Sequence, residues 1–122
     1  MNEQELKERF RTFSIRIVKM VNAMPHTISA TAIAKQVVRS GTSPYANYRA
    51  ACLGKSDKDF LNKLKMVEEE LDETGQWLDI IIATDILPQQ RVQPLYDESQ
   101  ELQKIIAKSI LTMKRKINTI NN

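Results

Sequence analysis

A chain of 122 residues is the length of one domain, expected here over residues 1–122, and it can bury roughly two-thirds of its unfolded surface without a disulfide or metal staple. With 42% hydrophobic and 27% charged residues but only three glycines and four prolines, the composition excludes a collagen, a disordered linker and a loop-rich sandwich, and points to helices. The net charge of +3 covers a segregation: residues 1–65 carry 12 Lys/Arg against 5 Asp/Glu, residues 66–103 carry 1 against 10, and residues 104–122 carry 5 against none. Basic and acidic helices either pair inside the fold or leave one surface basic for a polyanion. The single cysteine, Cys52, makes no internal disulfide. The charged opening MNEQELKERFRTF is not a secretory apolar run, and the longest apolar stretch, Ile80 to Ala83, is far short of the roughly 20 residues of a membrane span. A cytoplasmic protein without membrane contact is expected.

Leu6, Phe10, Phe13, Ile17, Met20 and Met24 are spaced 4, 3, 4, 3, 4, which predicts a first helix from about Glu3 to Met24 with one face on a bundle core. Pro25 ends it, because proline disfavours helical geometry in the preceding residue. Thr27 or Ser29 then caps a second helix.

Local rules read Arg39-Ser40-Gly41-Thr42-Ser43-Pro44 as a loop. The 3.6-residue period instead continues through Ile33, Val37, Ser40, Pro44, Asn47, Ala51 and Gly54, a face of mostly small residues suited to close helix approach. One kinked helix from about Ile28 to Leu53 is therefore expected, with Pro44 costing ~3 kcal/mol that packing must offset.

Ser56, followed by Asp57 and Asp59, has the pattern of an N-cap with acids in the first turn. Phe60, Leu64, Val67, Leu71, Thr74, Leu78 and Ile81 then repeat in a third helix that ends near Thr84. Leu87-Pro88 opens a fourth with the stripe Val92, Leu95, Ser99, Leu102, Ile106, Ile110 (or Ser109), Met113, Ile117 and Ile120. Short connections between four long amphipathic helices predict an all-α, antiparallel up-down-up-down four-helix bundle. Val18, Val21, Trp77, Ile82 and Ile105 fall outside the stripes. Their surplus apolar surface predicts a homo-oligomer with helix contacts between subunits.

The run from Arg39 through Ser40-Gly41-Thr42-Ser43-Pro44-Tyr45-Ala46-Asn47-Tyr48-Arg49 to Ala51 resembles the small bacterial four-helix-bundle family encoded in intervening sequences of 23S ribosomal RNA genes. Asp59-Phe60, Lys63-Leu64, Glu69-Glu70, Asp72-Glu73-Thr74 and Trp77-Leu78 extend the likeness over about residues 35–82, although Pro44-Tyr45 stands where other members have an aliphatic residue and glycine. The resemblance implies an antiparallel bundle assembled into a pentameric ring. It also implies kinship with the accessory protein of diversity-generating retroelements, which partners a reverse transcriptase and binds nucleic acid through a basic surface. It implies no assigned activity.

Little in the chain suggests catalysis. A di-iron bundle needs two Glu-x-x-His pairs, and the one histidine, His26, lies in the Pro25 turn. Glu69, Asp72, Glu73, Gln76 and Asp79 read as an outer solvated face rather than a metal site, so neither metal nor cofactor is expected. Ser40, Thr42 and Ser43 have no adjacent base and read as packing or back-bonding residues, and Cys52 as a small packing residue. Arg39, Asn47, Arg49, Glu69 and Glu73 form either a polar network that sets helix register, in which Arg49 grips one carboxylate of the Glu69 to Glu73 run, or an alternative phosphate contact. Tyr45 and Tyr48 suit base stacking or a subunit seam. Arg9, Arg16 and Lys19 on the first helix and Lys104, Lys108 and Arg115 on the fourth are the candidates for nucleic-acid phosphates, their weak contacts multiplied by avidity in a ring. The expected function is a non-enzymatic oligomeric adaptor that binds RNA or DNA with little sequence preference. The alternative is a structural or protein-interaction scaffold.

Overall fold

The computed structural model describes the backbone of residues 1–121 and the side chains of residues 1–119. Among these there are four α-helices and no strand: α1 (Glu3–Asn22), α2 (Ile28–Cys52), α3 (Asp57–Ala83) and α4 (Gln89–Asn121). The Asn2 side chain caps α1 by accepting a 2.8 Å hydrogen bond from the Glu5 N–H. The helix ends at Asn22, two residues earlier than its apolar spacing suggests. Ala23 closes it by donating its N–H to the Met20 carbonyl, and Met24, held out of helical geometry by Pro25, still buries its side chain. Of the two caps expected for α2, Thr27 serves: its side chain accepts from the Ala30 N–H at 3.2 Å.

Helix α2 runs unbroken through Ser40-Gly41-Thr42-Ser43-Pro44, so the local loop signals are overridden. Their polar groups turn back onto the helix. Thr42 Oγ1 donates to the Val38 carbonyl at 2.7 Å, and Asn47 Nδ2 donates to the Ser43 carbonyl at 3.2 Å and Ser43 Oγ at 2.8 Å. Val37, Ser40, Gly41, Pro44 and Ala51 are buried, and this burial offsets the hydrogen bond that Pro44 cannot donate. Gly54 is not part of the small face: it lies beyond the Leu53 cap and is exposed.

Ser56 caps α3 by accepting from the Asp59 N–H at 3.1 Å, and the expected stripe from Leu64 to Ile81 is buried, with Phe60 half-buried at its start. Helix α4 buries Val92, Leu95, Ser99, Leu102, Ile106 and Ile110, while Met113 and Ile117 are half-buried; Ile120 lies outside the described side chains. It also contains Pro94, in its second turn, which the stripe passes over.

Each helix packs on its neighbour in sequence, and α4 returns to touch α1, whereas α1 does not meet α3 and α2 does not meet α4. The result is a four-helix bundle with its thinnest seam between α1 and α4. Aromatic packing joins α1 to α2: the Phe10 and Tyr48 rings lie 5.2 Å apart at 39°. Tyr48 is only 4% exposed and belongs to the core, so neither base stacking nor a subunit seam accounts for it. Val21, Trp77, Ile82 and Ile105 also pack half-buried against the core of their own chain. Of the five residues expected to form surplus apolar surface, only Val18 is exposed; Ile15, Met66, Ile80 and Leu111 join it.

Candidate functional site

The two clusters of candidate residues occupy different seams. On the α1–α4 seam, Arg9 Nε and Nη2 each donate to a separate oxygen of Glu98 at 2.7 Å, a bidentate fork across the thinnest contact of the bundle. The Glu98 hydrogen bond raises the Arg9 pKa above its ordinary value against the opposing effect of burial. Lys104 lies 3.7 Å from Glu101 and lines a shallow groove with Glu68 and Asp72 of α3. Arg16 is half-buried on α1, Lys19 is exposed there, and Lys108 and Arg115 are exposed on α4. None of these four has an acidic partner within 4 Å among the described residues. The structure thus sets Arg9, forked on Glu98, apart from Arg16, Lys19, Lys108 and Arg115, with Lys104 between them in a loose and largely exposed pair with Glu101.

On the α2–α3 seam, Arg39 rather than Arg49 grips the acidic run. Arg39 Nη1 donates to Glu70 Oε2 at 3.0 Å and Nη2 to Glu73 Oε2, while Trp77 Nε1 donates to the same Glu73 oxygen at 3.1 Å. Burial alone would raise the Glu73 pKa, but the hydrogen bonds from Trp77 and Arg39 outweigh it and hold the carboxyl below its ordinary value. Arg49 sits ten residues further along the helix, about 15 Å, and its guanidinium lies over the Tyr45 ring at 5.5 Å from the centroid. Asn47 bonds within α2, and Glu69 is exposed. Sequence reasoning offered the Glu69 to Glu73 run without singling out Glu70, and missed Trp77 as a member of this network. The signal was present: Arg39 stands fourteen residues before Leu53 and Glu70 fourteen after Ser56, at matching distances from the α2–α3 turn.

Deeper on the same seam, Ser40 Oγ and Thr74 Oγ1 share a buried 2.9 Å hydrogen bond, and Thr74 Oγ1 also donates to the Glu70 carbonyl at 2.7 Å. These hydroxyls hold each other and set the register of α2 on α3. Cys52 is half-buried, and burial pushes its thiol pKa up, away from the reactive thiolate. His26 is exposed in the turn between α1 and α2. Among the described residues no three His, Cys, Asp or Glu side chains gather as metal ligands, and no helix is long and apolar enough to cross a membrane.

Fold and site together define a small all-α bundle protein in which a few polar pairs join neighbouring helices. The chain belongs to the 23S rRNA-intervening sequence protein family, whose pattern matches residues 2–108. It is similar to a protein of unknown function from the S23 ribosomal protein family of Bacteroides thetaiotaomicron VPI-5482, with a TM-score of 0.83 at 31% identity over 90% of this chain and 98% of that one. No curated protein matches the chain.

Proposed function

We propose that the protein is a non-enzymatic, cytoplasmic, ring-forming oligomer, a pentamer by family resemblance, that binds the phosphate backbone of RNA or DNA with little sequence preference. The observation that carries this reading is that Arg16 on α1 and Lys108 and Arg115 on α4 have no acid of the chain within salt-bridge distance among the described residues. Cations placed in this way displace condensed counterions from a polyanion, which gives affinity without reading bases. Arg9 leaves the proposed surface because Glu98 takes both of its donors, whereas Lys104, largely exposed beside Glu101, stays at its edge. A partner reverse transcriptase rests on family resemblance alone.

The bundle in this reading runs up-down-up-down with antiparallel neighbours. Lys116, late in α4, lies 3.4 Å from Asp57 at the start of α3, and Phe10, early in α1, packs on Tyr48, late in α2. Pro44 places a bend in α2.

Fluorescence anisotropy with labelled RNA and DNA at several salt concentrations tests the function. The parent protein binds both, and Arg16→Glu/Lys108→Glu/Arg115→Glu weakens binding to every sequence alike, with the salt slope falling by about 0.7–0.9 for each phosphate that is no longer neutralised. An unchanged slope removes these residues from the interface. Absence of binding by the parent at low salt favours the second reading, an oligomeric scaffold. That reading draws support from the pairs Arg9–Glu98, Arg39–Glu70 and Lys116–Asp57, which tie basic segments of the chain to acidic residues on other helices.

A further inference from the structure

The turn between α1 and α2 carries a concavity of about 280 Å³ that the fold leaves open. Val21 and Met24 on one side and Ala34 and Val38 on the other give it an apolar floor, while His26 and Lys35 stand exposed at its rim. It falls just below the roughly 300–1,000 Å³ of sites that enclose a whole small ligand, so it suits a single large apolar side chain. Ile28 adds a second apolar contact beside it. At 94% it is more exposed than any other large hydrophobic among the described residues, and it lies seven residues, two helical turns, before Lys35 on the same side of α2. The charge around the concavity has one sign. From Arg9 to Ser56, which takes in most of α1 and all of α2, the chain holds eight Lys/Arg and no Asp or Glu. Neither Lys35 nor His26 has an acid within 4 Å among the described residues.

We infer that this tip docks a segment of another protein, an acidic one that buries a single apolar side chain in the concavity and sets carboxylates against Lys35. Charge complementarity commits the occupant: acids beside an apolar anchor meet a cation that no acid of the chain holds, while the anchor fills a preformed hollow and Ile28 extends the apolar contact beyond it. A nucleic acid fits less well. Its phosphates find Lys35, but the lining holds no Phe, Tyr or Trp on which bases stack. The inference goes beyond phosphate binding, since it adds a protein-binding surface at the α1–α2 tip. It uses other residues than Arg16, Lys108 and Arg115, so either reading can fail alone.

Selection of a random peptide phage library on the full chain supplies the probe. The enriched sequences share a Leu, Ile, Met or Phe with Asp or Glu a few positions away, and a fluorescein-labelled consensus peptide then measures affinity by anisotropy. Lys35→Glu weakens its binding at least about tenfold, and a second peptide with Lys in place of the acids reverses the preference, binding Lys35→Glu better than the parent. Ile28→Ser also weakens the acidic peptide, and Ala34→Leu, which fills the concavity, removes its binding. Lys35 and Ile28 are exposed, so both variants keep the parent's circular dichroism, and they decide the matter alone if Ala34→Leu misfolds. No consensus, a consensus without acids, or a peptide indifferent to Lys35→Glu and Ile28→Ser overturns the inference. Variants that lose affinity for labelled RNA or for phosphatidylglycerol vesicles but not for the peptide overturn it too, and give the tip to a nucleic acid or a membrane. Peptide affinity lost with RNA affinity retained supports it and keeps the two surfaces apart.

Discussion

The close approach of α1 to α2 depends on Gly41 having no side chain, and this sets up a quantitative test. A Cβ built at Gly41 would lie 2.8 Å from Ile17 Cγ2, 2.9 Å from Cγ1 and 3.2 Å from Cδ1. Carbon atoms in favourable contact sit about 3.5–4.0 Å apart, so a single methyl needs something to move by roughly 0.7 Å. Ile17 has little freedom to give way. It is fully buried, and its two γ carbons are fixed to a branched Cβ with one strongly preferred rotamer in a helix. Either α1 lifts from α2 or Ile17 leaves its rotamer. Gly41→Ala gains about 1 kcal/mol of helix propensity and loses ~1–3 kcal/mol to overpacking, for a small net loss. Gly41→Leu has the same propensity gain with far more volume, and it destabilises by ~1–3 kcal/mol net, a fall in melting temperature of roughly 3–15 °C. Thermal and urea denaturation followed by circular dichroism measure both. An Ile17→Ala background removes the opposing carbons, so Gly41→Ala becomes stabilising there, and the double-mutant cycle gives the size of the contact. If Gly41→Leu melts like the parent, or if the cycle shows no coupling, Gly41 does not face Ile17 across a close α1–α2 contact.

The Ser40–Thr74 bond gives a second prediction: Thr74→Val leaves Ser40 Oγ buried without this partner and costs ~1–3 kcal/mol, whereas Ser40→Ala/Thr74→Val recovers much of the loss in urea denaturation. Glu73 gives a third. Its folded-state pKa lies below the ordinary carboxylate value, so its contribution is present above that value, near pH 4.3, and is lost as pH falls through the depressed one. Glu73→Gln is therefore less stable than the parent at neutral pH, and the two denaturation midpoints converge in acid; a gap independent of pH would refute the role of the charged carboxylate.

The sequence by itself determined the four helices, because a 4,3 repeat of apolar residues defines a buried face wherever the partner helix lies. It also determined α2 as one piece: the period of Val37, Ser40, Pro44 and Ala51 outlasts the loop signals between them, and all four are buried. Local chemistry fixed the Ser56 cap for the same reason, since a cap is satisfied within its own turn. What the tertiary structure decided are the pairings across helices. Arg39 rather than Arg49 meets the acids of α3, because register along two packed helices selects the residue at the right height and a shift of ten residues puts Arg49 about 15 Å away. Glu5 stands one helical turn before Arg9 on α1, yet Glu98 on α4, 89 residues away in sequence, takes both of its donors. Val21, Trp77, Ile82 and Ile105 are surplus to a one-stripe face and are absorbed by the flanks of the core, because a helix in a bundle touches two neighbours and buries more than one stripe. Periodicity is a property of each helix alone, whereas partner, register and leftover surface exist only once four helices are packed.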